Sequence, residues 1–117
     1  MTHDVATADR IAIARECYGA YETGRRELIE RHLSDDFTFY SPADMGIDRA
    51  TYFERCWPNA ETIEAFEFKR LVESGDEVLV TYESTKIDGR RFRNTEVLTF
   101  RGDKVCRVEV YFGWDVE

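Results

Sequence analysis

The segment Phe92-Arg-Asn-Thr-Glu-Val-Leu-Thr-Phe100 alternates so that Phe92, Asn94, Glu96, Leu98 and Phe100 share one face of a strand. A carboxyl set in such an aromatic and aliphatic row is stripped of water. Desolvation disfavours the charged form, so the pKa of Glu96 is expected to rise. The group then suits proton transfer or hydrogen-bond donation as a neutral acid. The competing expectation is an outward Glu96 paired with an arginine, because structural ion pairs also perturb pKa values. Asn94 carries an amide that can orient a ligand carbonyl or satisfy Glu96. Tyr82 on a neighbouring strand, and Tyr18 or Tyr21 nearer the N-terminus, can each bring a phenol. Buried tyrosines need partners, so a structural network fits these residue types equally well. Glu96, Asn94 and Tyr82 are the candidate catalytic set.

Other chemistries find less support. Ser41 lacks a histidine at a recognisable partner position, and no G-x-S-x-G elbow is present. Asp44, in a loop before Gly46, is with Ser41 and Trp57 a candidate for the pocket mouth, though a solvated carboxylate is the simpler expectation. His3 lies near the N-terminus, and His32 ends a helical stretch, where a cation complements the dipole. No cluster of ligands suggests a metal, no glycine-rich loop suggests a bound phosphate, and no cofactor is expected.

Charge and composition narrow the partners. The 117 residues carry a formal net charge of −8, opposite to what nucleic-acid binding through Lys and Arg requires. Arg90, Arg91 and Arg93 cluster beside a turn and read as a solvated hairpin end. Apolar residues reach 43%, enough for a core, but no apolar run approaches the roughly 20 residues that span a bilayer. The start, Met1-Thr2-His3-Asp4, shows no basic or apolar leader pattern. Cys17, Cys56 and Cys106 are scattered and odd in number, in keeping with reduced core thiols and a cytoplasmic setting.

The elements that must position these residues follow from periodicity. Thr7 can cap a helix over 8–23, which Gly24 stops. A short second helix covers 25–32, carrying Leu28, Ile29 and Leu33 inward, and 36–41 alternates as a strand ended by Pro42. Residues 43–46 read as loop. Asp48 can cap a third helix over 49–57, which Pro58 closes. Four β-segments follow, over 64–73, 77–86, 92–100 and 104–112. They are separated by Ser74-Gly75-Asp76, Asp88-Gly89 and Gly102-Asp103. At Asp88-Gly89 a two-residue turn sets Thr81 opposite Glu96, and a three-residue turn sets Tyr82 there. The second is preferred because it gathers Val78, Val80 and Tyr82 on the face of Leu98 and Phe100. Helices first and strands afterwards mark one α+β domain over 1–117. Its N-terminal helices pack on a strongly curved, mostly antiparallel sheet, in the order α-α-β-α-β-β-β-β, around an internal pocket.

Several strings resemble the SnoaL-like and nuclear-transport-factor-2-like superfamily, the cone-shaped fold shared with ketosteroid isomerase and polyketide cyclases. They are Tyr18-Gly-Ala-Tyr-Glu-Thr-Gly24, Leu33-Ser-Asp-Asp-Phe37 with Ser41-Pro42, Phe53-Glu-Arg-Cys-Trp-Pro58 and Val108-Glu-Val-Tyr-Phe-Gly113. The resemblance covers nearly the whole chain and speaks to fold more than to function. In ketosteroid isomerases an Asp general base directly precedes the proline, where this chain has Ser41. The oxyanion-hole Tyr falls about at Cys17, with Tyr18 and Tyr21 near, and the oxyanion-hole Asp falls at Glu96. Steroid isomerisation by that route is therefore not expected.

The pocket is expected to be lined by Cys17, Tyr18, Tyr21, Phe39, Ser41, Trp57, Phe68, Leu98, Val108, Val110 and Phe112, and to take a small hydrophobic molecule. The other sheet face, with Arg93, Thr95, Val97, Thr99, Arg107, Glu109 and Tyr111, has the mixed composition of a homodimer interface. Three functions suit this design: a cofactor-independent isomerase, dehydratase or cyclase, a non-catalytic ligand carrier, or a dimerisation module.

Overall fold

A computed structural model describes residues 9–116; Thr7 and His3 lie outside the described residues. The first helix, α1, runs Arg10–Thr23, and Asp9 caps it by accepting from the Ala12 N–H at 3.1 Å. Gly24 ends it with φ 72, a left-handed conformation that costs glycine nothing. Helix α2 shrinks to Glu27–Glu30. Strand β1 starts early, at Leu33, because Leu33 pairs with Val105 before the register shift that precedes Thr38.

The expected loop after Pro42 is a strand. Residues Asp44–Asp48 form β2, which returns along β1 from Ser41↔Asp44 to Thr38↔Asp48. The pairing slips by one residue at Gly46, whose φ is 71 and whose absent Cβ would lie 3.1 Å from the Tyr40 hydroxyl oxygen. Asp48 then caps α3, Arg49–Cys56, by accepting from the Thr51 N–H at 2.9 Å. A 3-10 turn, Trp57–Glu61, holds Pro58 and leads into the long strands. These are β3 (Ile63–Ser74), β4 (Glu77–Lys86), β5 (Arg91–Arg101) and β6 (Lys104–Val116).

The six strands form one sheet in the order β2-β1-β6-β5-β4-β3, antiparallel throughout except for the parallel β1–β6 pair. Bulges curl it into a trough. One lies between Phe68 and Arg70 of β3, and others follow Arg93 and Thr99 of β5. Each extra residue restores the inward row, so Phe66, Phe68 and Leu71 all join the core despite their uneven spacing. The core fills the trough, with Phe37, Val78, Val80 and Val105 almost fully buried beneath α1 and α3.

The β4–β5 register differs from both readings of the turn. Val80, not Thr81 or Tyr82, stands opposite Glu96, and Tyr82 stands opposite Asn94. Lys86 and Arg90 close the hairpin around Ile87, Asp88 and Gly89, with the Lys86 N–H donating to the Arg90 carbonyl at 2.8 Å. The shift from the preferred reading is two residues, so Tyr82 keeps the inward face.

Candidate functional site

Glu96 is enclosed at the centre of the trough. Its carboxylate accepts from the Tyr18 hydroxyl of α1 at 2.9 Å and from the Tyr82 hydroxyl of β4 at 2.6 Å, one oxygen each. Tyr82 reaches it diagonally, since its direct partner Asn94 lies two residues before Glu96. Asn94 donates to the Tyr82 hydroxyl oxygen at 3.3 Å and accepts from the Gly113 N–H at 3.1 Å, which fixes the direction of its amide. Gly113 is the residue that β6 inserts at its bulge, and a Cβ there would fall 2.1 Å from the Arg93 carbonyl oxygen.

Burial pushes the Glu96 carboxyl above the usual carboxylate range, against the pull of the hydrogen bonds from Tyr82 and Tyr18. By surface area the residue is only half-buried, because it touches cavity space, yet protein surrounds its charge. Burial, reinforced by the neighbouring Glu96 charge, also holds the Tyr18 and Tyr82 phenols well above their ordinary range. Both remain proton donors at neutral pH.

The four groups face a cavity of about 320 Å³. That is the liquid volume of about ten waters, or room for a small organic molecule. Cys17, Tyr21, Phe39, Ser41, Leu98, Val108, Val110 and Phe112 line it with Glu96, Asn94, Tyr82 and Tyr18. Phe112 stands at the mouth, 63% exposed. Trp57 and Phe68 are not lining residues. Trp57 packs on Tyr21 at 5.0 Å, and Phe68 packs edge-on against Tyr18 at 5.5 Å, so both brace the wall from behind. Burial pushes the Cys17 thiol up to about 12 and the Cys56 thiol up to about 11, which leaves both protonated and poor nucleophiles.

Three features depart from the preferred sequence reading. Asp44 lines the cavity rather than lying in solvent. It accepts from the Ser41 hydroxyl at 3.1 Å and meets the Arg55 guanidinium at 2.9 Å. Tyr52 of α3 lines the cavity too, its hydroxyl 2.7 Å from that of Tyr21. On the outer face, Arg91 and Arg93 are no mere solvated hairpin end, for both clasp Glu83, with Lys69 beside it. The hydrogen bond from Arg93 is the chief cause that holds the Glu83 carboxyl below its ordinary range. The spacing of Glu83, Arg91 and Arg93 across a predicted hairpin was the signal available for that cluster. His32 sits 2.6 Å from Glu16, a structural pair away from the cavity wall. Among the described residues no group of three His, Cys, Asp or Glu could hold a metal, and no helix is long and apolar enough to cross a membrane.

A model of the SnoaL-like domain matches residues 14–108. The chain belongs to the SnoaL-like family. Solved structures show the same fold at low identity. A nuclear-transport-factor-2-like protein of unknown function from Cytophaga hutchinsonii superposes with TM-score 0.70 at 18% identity, covering 97% of this chain and 95% of that one. A candidate ketosteroid isomerase from Kribbella flavida gives 0.75 at 21%, covering 92% and 80%. An uncharacterised cystatin-fold protein from Novosphingobium aromaticivorans gives 0.72 at 19%, covering 88% and 97%. No curated protein matches the chain. In this SnoaL-like domain, as in those structures, helices pack on a strongly curved, mostly antiparallel sheet.

Proposed function

We propose that this SnoaL-like domain moves a proton on a small hydrophobic carbonyl compound held in the cavity, with Glu96 as the proton carrier and no cofactor. The observation that carries the reading is one enclosed carboxyl, with raised proton affinity, held by two phenols at a cavity wall. As a carboxylate, Glu96 takes a proton from the carbon next to the ligand carbonyl, and the C–H electron pair passes into an enolate. Protonated Glu96 no longer needs both donors. A freed Tyr18 or Tyr82 hydroxyl, or the second Asn94 N–H, can then donate to the enolate oxygen. Return of the proton to a different carbon is isomerisation, and its delivery to a departing hydroxyl is dehydration.

The test is solvent deuterium uptake beside the carbonyl of a small benzo-fused cyclic ketone such as 2-tetralone, read by mass spectrometry. The native protein is expected to exceed buffer, and Glu96→Gln to lose about 10²–10⁴-fold of that acceleration. Equal rates in the two proteins would remove Glu96 from the mechanism. A ligand carrier without chemistry is the second reading. Ser41 favours it, because the residue before Pro42 is engaged with Asp44 and offers no acid of its own.

The outer face supports pairing with a second copy. Tyr111 and Trp114 of β6 are 54% and 63% exposed on the face that carries the Glu83 cluster.

A further inference from the structure

Lys86 ends β4 on the same inward row as Tyr82, since alternate residues of a strand share a face. It lines the cavity near the mouth, with Asn59, Thr62, Ile63 and Phe92. Its ammonium lies 5.7 Å from the centre of the Phe92 ring, which lines the cavity as well. The neighbouring cations of this hairpin have acids: Arg91 and Arg93 share Glu83, and Arg90 meets Asp88. Among the described residues Lys86 has no carboxylate within ion-pair distance. Asp44 also lines the cavity but is paired with Arg55, so the lining charges without an ion pair are a carboxyl at the inner end and an ammonium toward the mouth.

We propose that the cavity selects an elongated organic anion, with its negative group at Lys86 and its uncharged, oxygen-bearing end at Glu96. The inference rests on the proton-transfer reading for the identity of the inner end. An anionic group at the inner end would meet the Glu96 charge at close range in a poorly solvated site. The same group at Lys86 meets an ammonium. Tyr82 and Lys86 are four residues apart, about 13 Å of strand, so the two ends of the ligand lie roughly 10 Å apart. A small aromatic or alicyclic carboxylic acid with a ring carbonyl or hydroxyl has this shape. In a chain of net charge −8, one cation at the mouth also offsets the repulsion that such an anion meets on approach.

A matched pair of dyes tests this: 1-anilinonaphthalene-8-sulfonate and N-phenyl-1-naphthylamine, which share a skeleton and differ by the sulfonate. Fluorescence titration of the native protein is expected to give at least about fivefold tighter binding of the sulfonate than of the neutral amine. Lys86→Met should abolish that preference while the neutral dye stays within about twofold, and Lys86→Arg should keep it. The preference should shrink as salt is raised. Circular dichroism melting establishes that each variant is folded. An unchanged preference in Lys86→Met would overturn the assignment of Lys86 and leave the cavity standing, since the neutral dye still binds. Failure of both dyes to bind native protein would overturn the cavity reading and the anion preference together.

Discussion

Glu96 carries two opposed demands, and their balance is what makes it a proton carrier. Burial favours the neutral acid, whereas the Tyr18 and Tyr82 hydroxyls favour the carboxylate, and burial is the larger effect. An acid with a raised folded pKa binds more protons in the native than in the unfolded chain between the two values. Stability therefore declines as pH climbs from the ordinary carboxylate value through the raised one. Glu96→Gln has no proton to lose. Its melting temperature, measured against native protein from pH 4 to 9, should gain relative to native as pH increases. A constant difference across that range would mean an ordinary carboxyl. Glu96 and Asn94 were legible as neighbours because alternation over nine residues sets both on one row with Phe92, Leu98 and Phe100, although the direction in which that row faces stayed open. Asp44 was not, because Pro42 and Gly46 within five residues look like loop, and only pairing with β1 makes the segment a strand.

At the scale of elements, the bulges decide where side chains aim. At the end of β6, Gly113 sits against the Arg93 carbonyl and donates its N–H to Asn94. Gly113→Ala would force β6 away from β5, misplace the Asn94 amide and loosen Tyr82. The expected cost is about 2 kcal/mol, or roughly 8 °C in Tm, together with reduced deuterium uptake. An unaltered melting temperature would show that the strand end accommodates a side chain. The order and starts of the four C-terminal strands were readable from Gly-Asp and Asp-Gly turns, but β6 runs to Val116 instead of ending at 112, because its end stays paired with β5 as far as Arg91↔Val116. Their register was not. The β4–β5 hairpin closes on Lys86 and Arg90 while Ile87 bonds back to the Thr62 carbonyl, a long-range contact that local turn chemistry does not encode.

For the whole molecule, the apolar pattern predicts helices on one face of a bent sheet, and the chain folds so. The hollow was the harder inference. Large residues such as Trp57 and Phe68 read as lining, but they pack against Tyr21 and Tyr18 from behind the cavity wall. Whether a big side chain fills a cavity or braces its wall depends on helix position, which periodicity leaves open. The uncovered outer face extends the same reasoning to assembly. Sedimentation velocity at micromolar concentration should show a dimer near twice 13.7 kDa, and Trp114→Glu should shift it toward monomer. A native monomer at those concentrations would contradict pairing through this face.

Carbon-13 NMR of glutamate-labelled protein follows each side-chain carboxyl directly, and the Glu96 signal is assigned by its loss in Glu96→Gln. The expected titration midpoint lies above that of a free glutamate, with Tyr18→Phe moving it higher still as one donor to the carboxylate is withdrawn. A midpoint at or below that value, unmoved by Tyr18→Phe, would place Glu96 in water and end the case for a buried proton carrier.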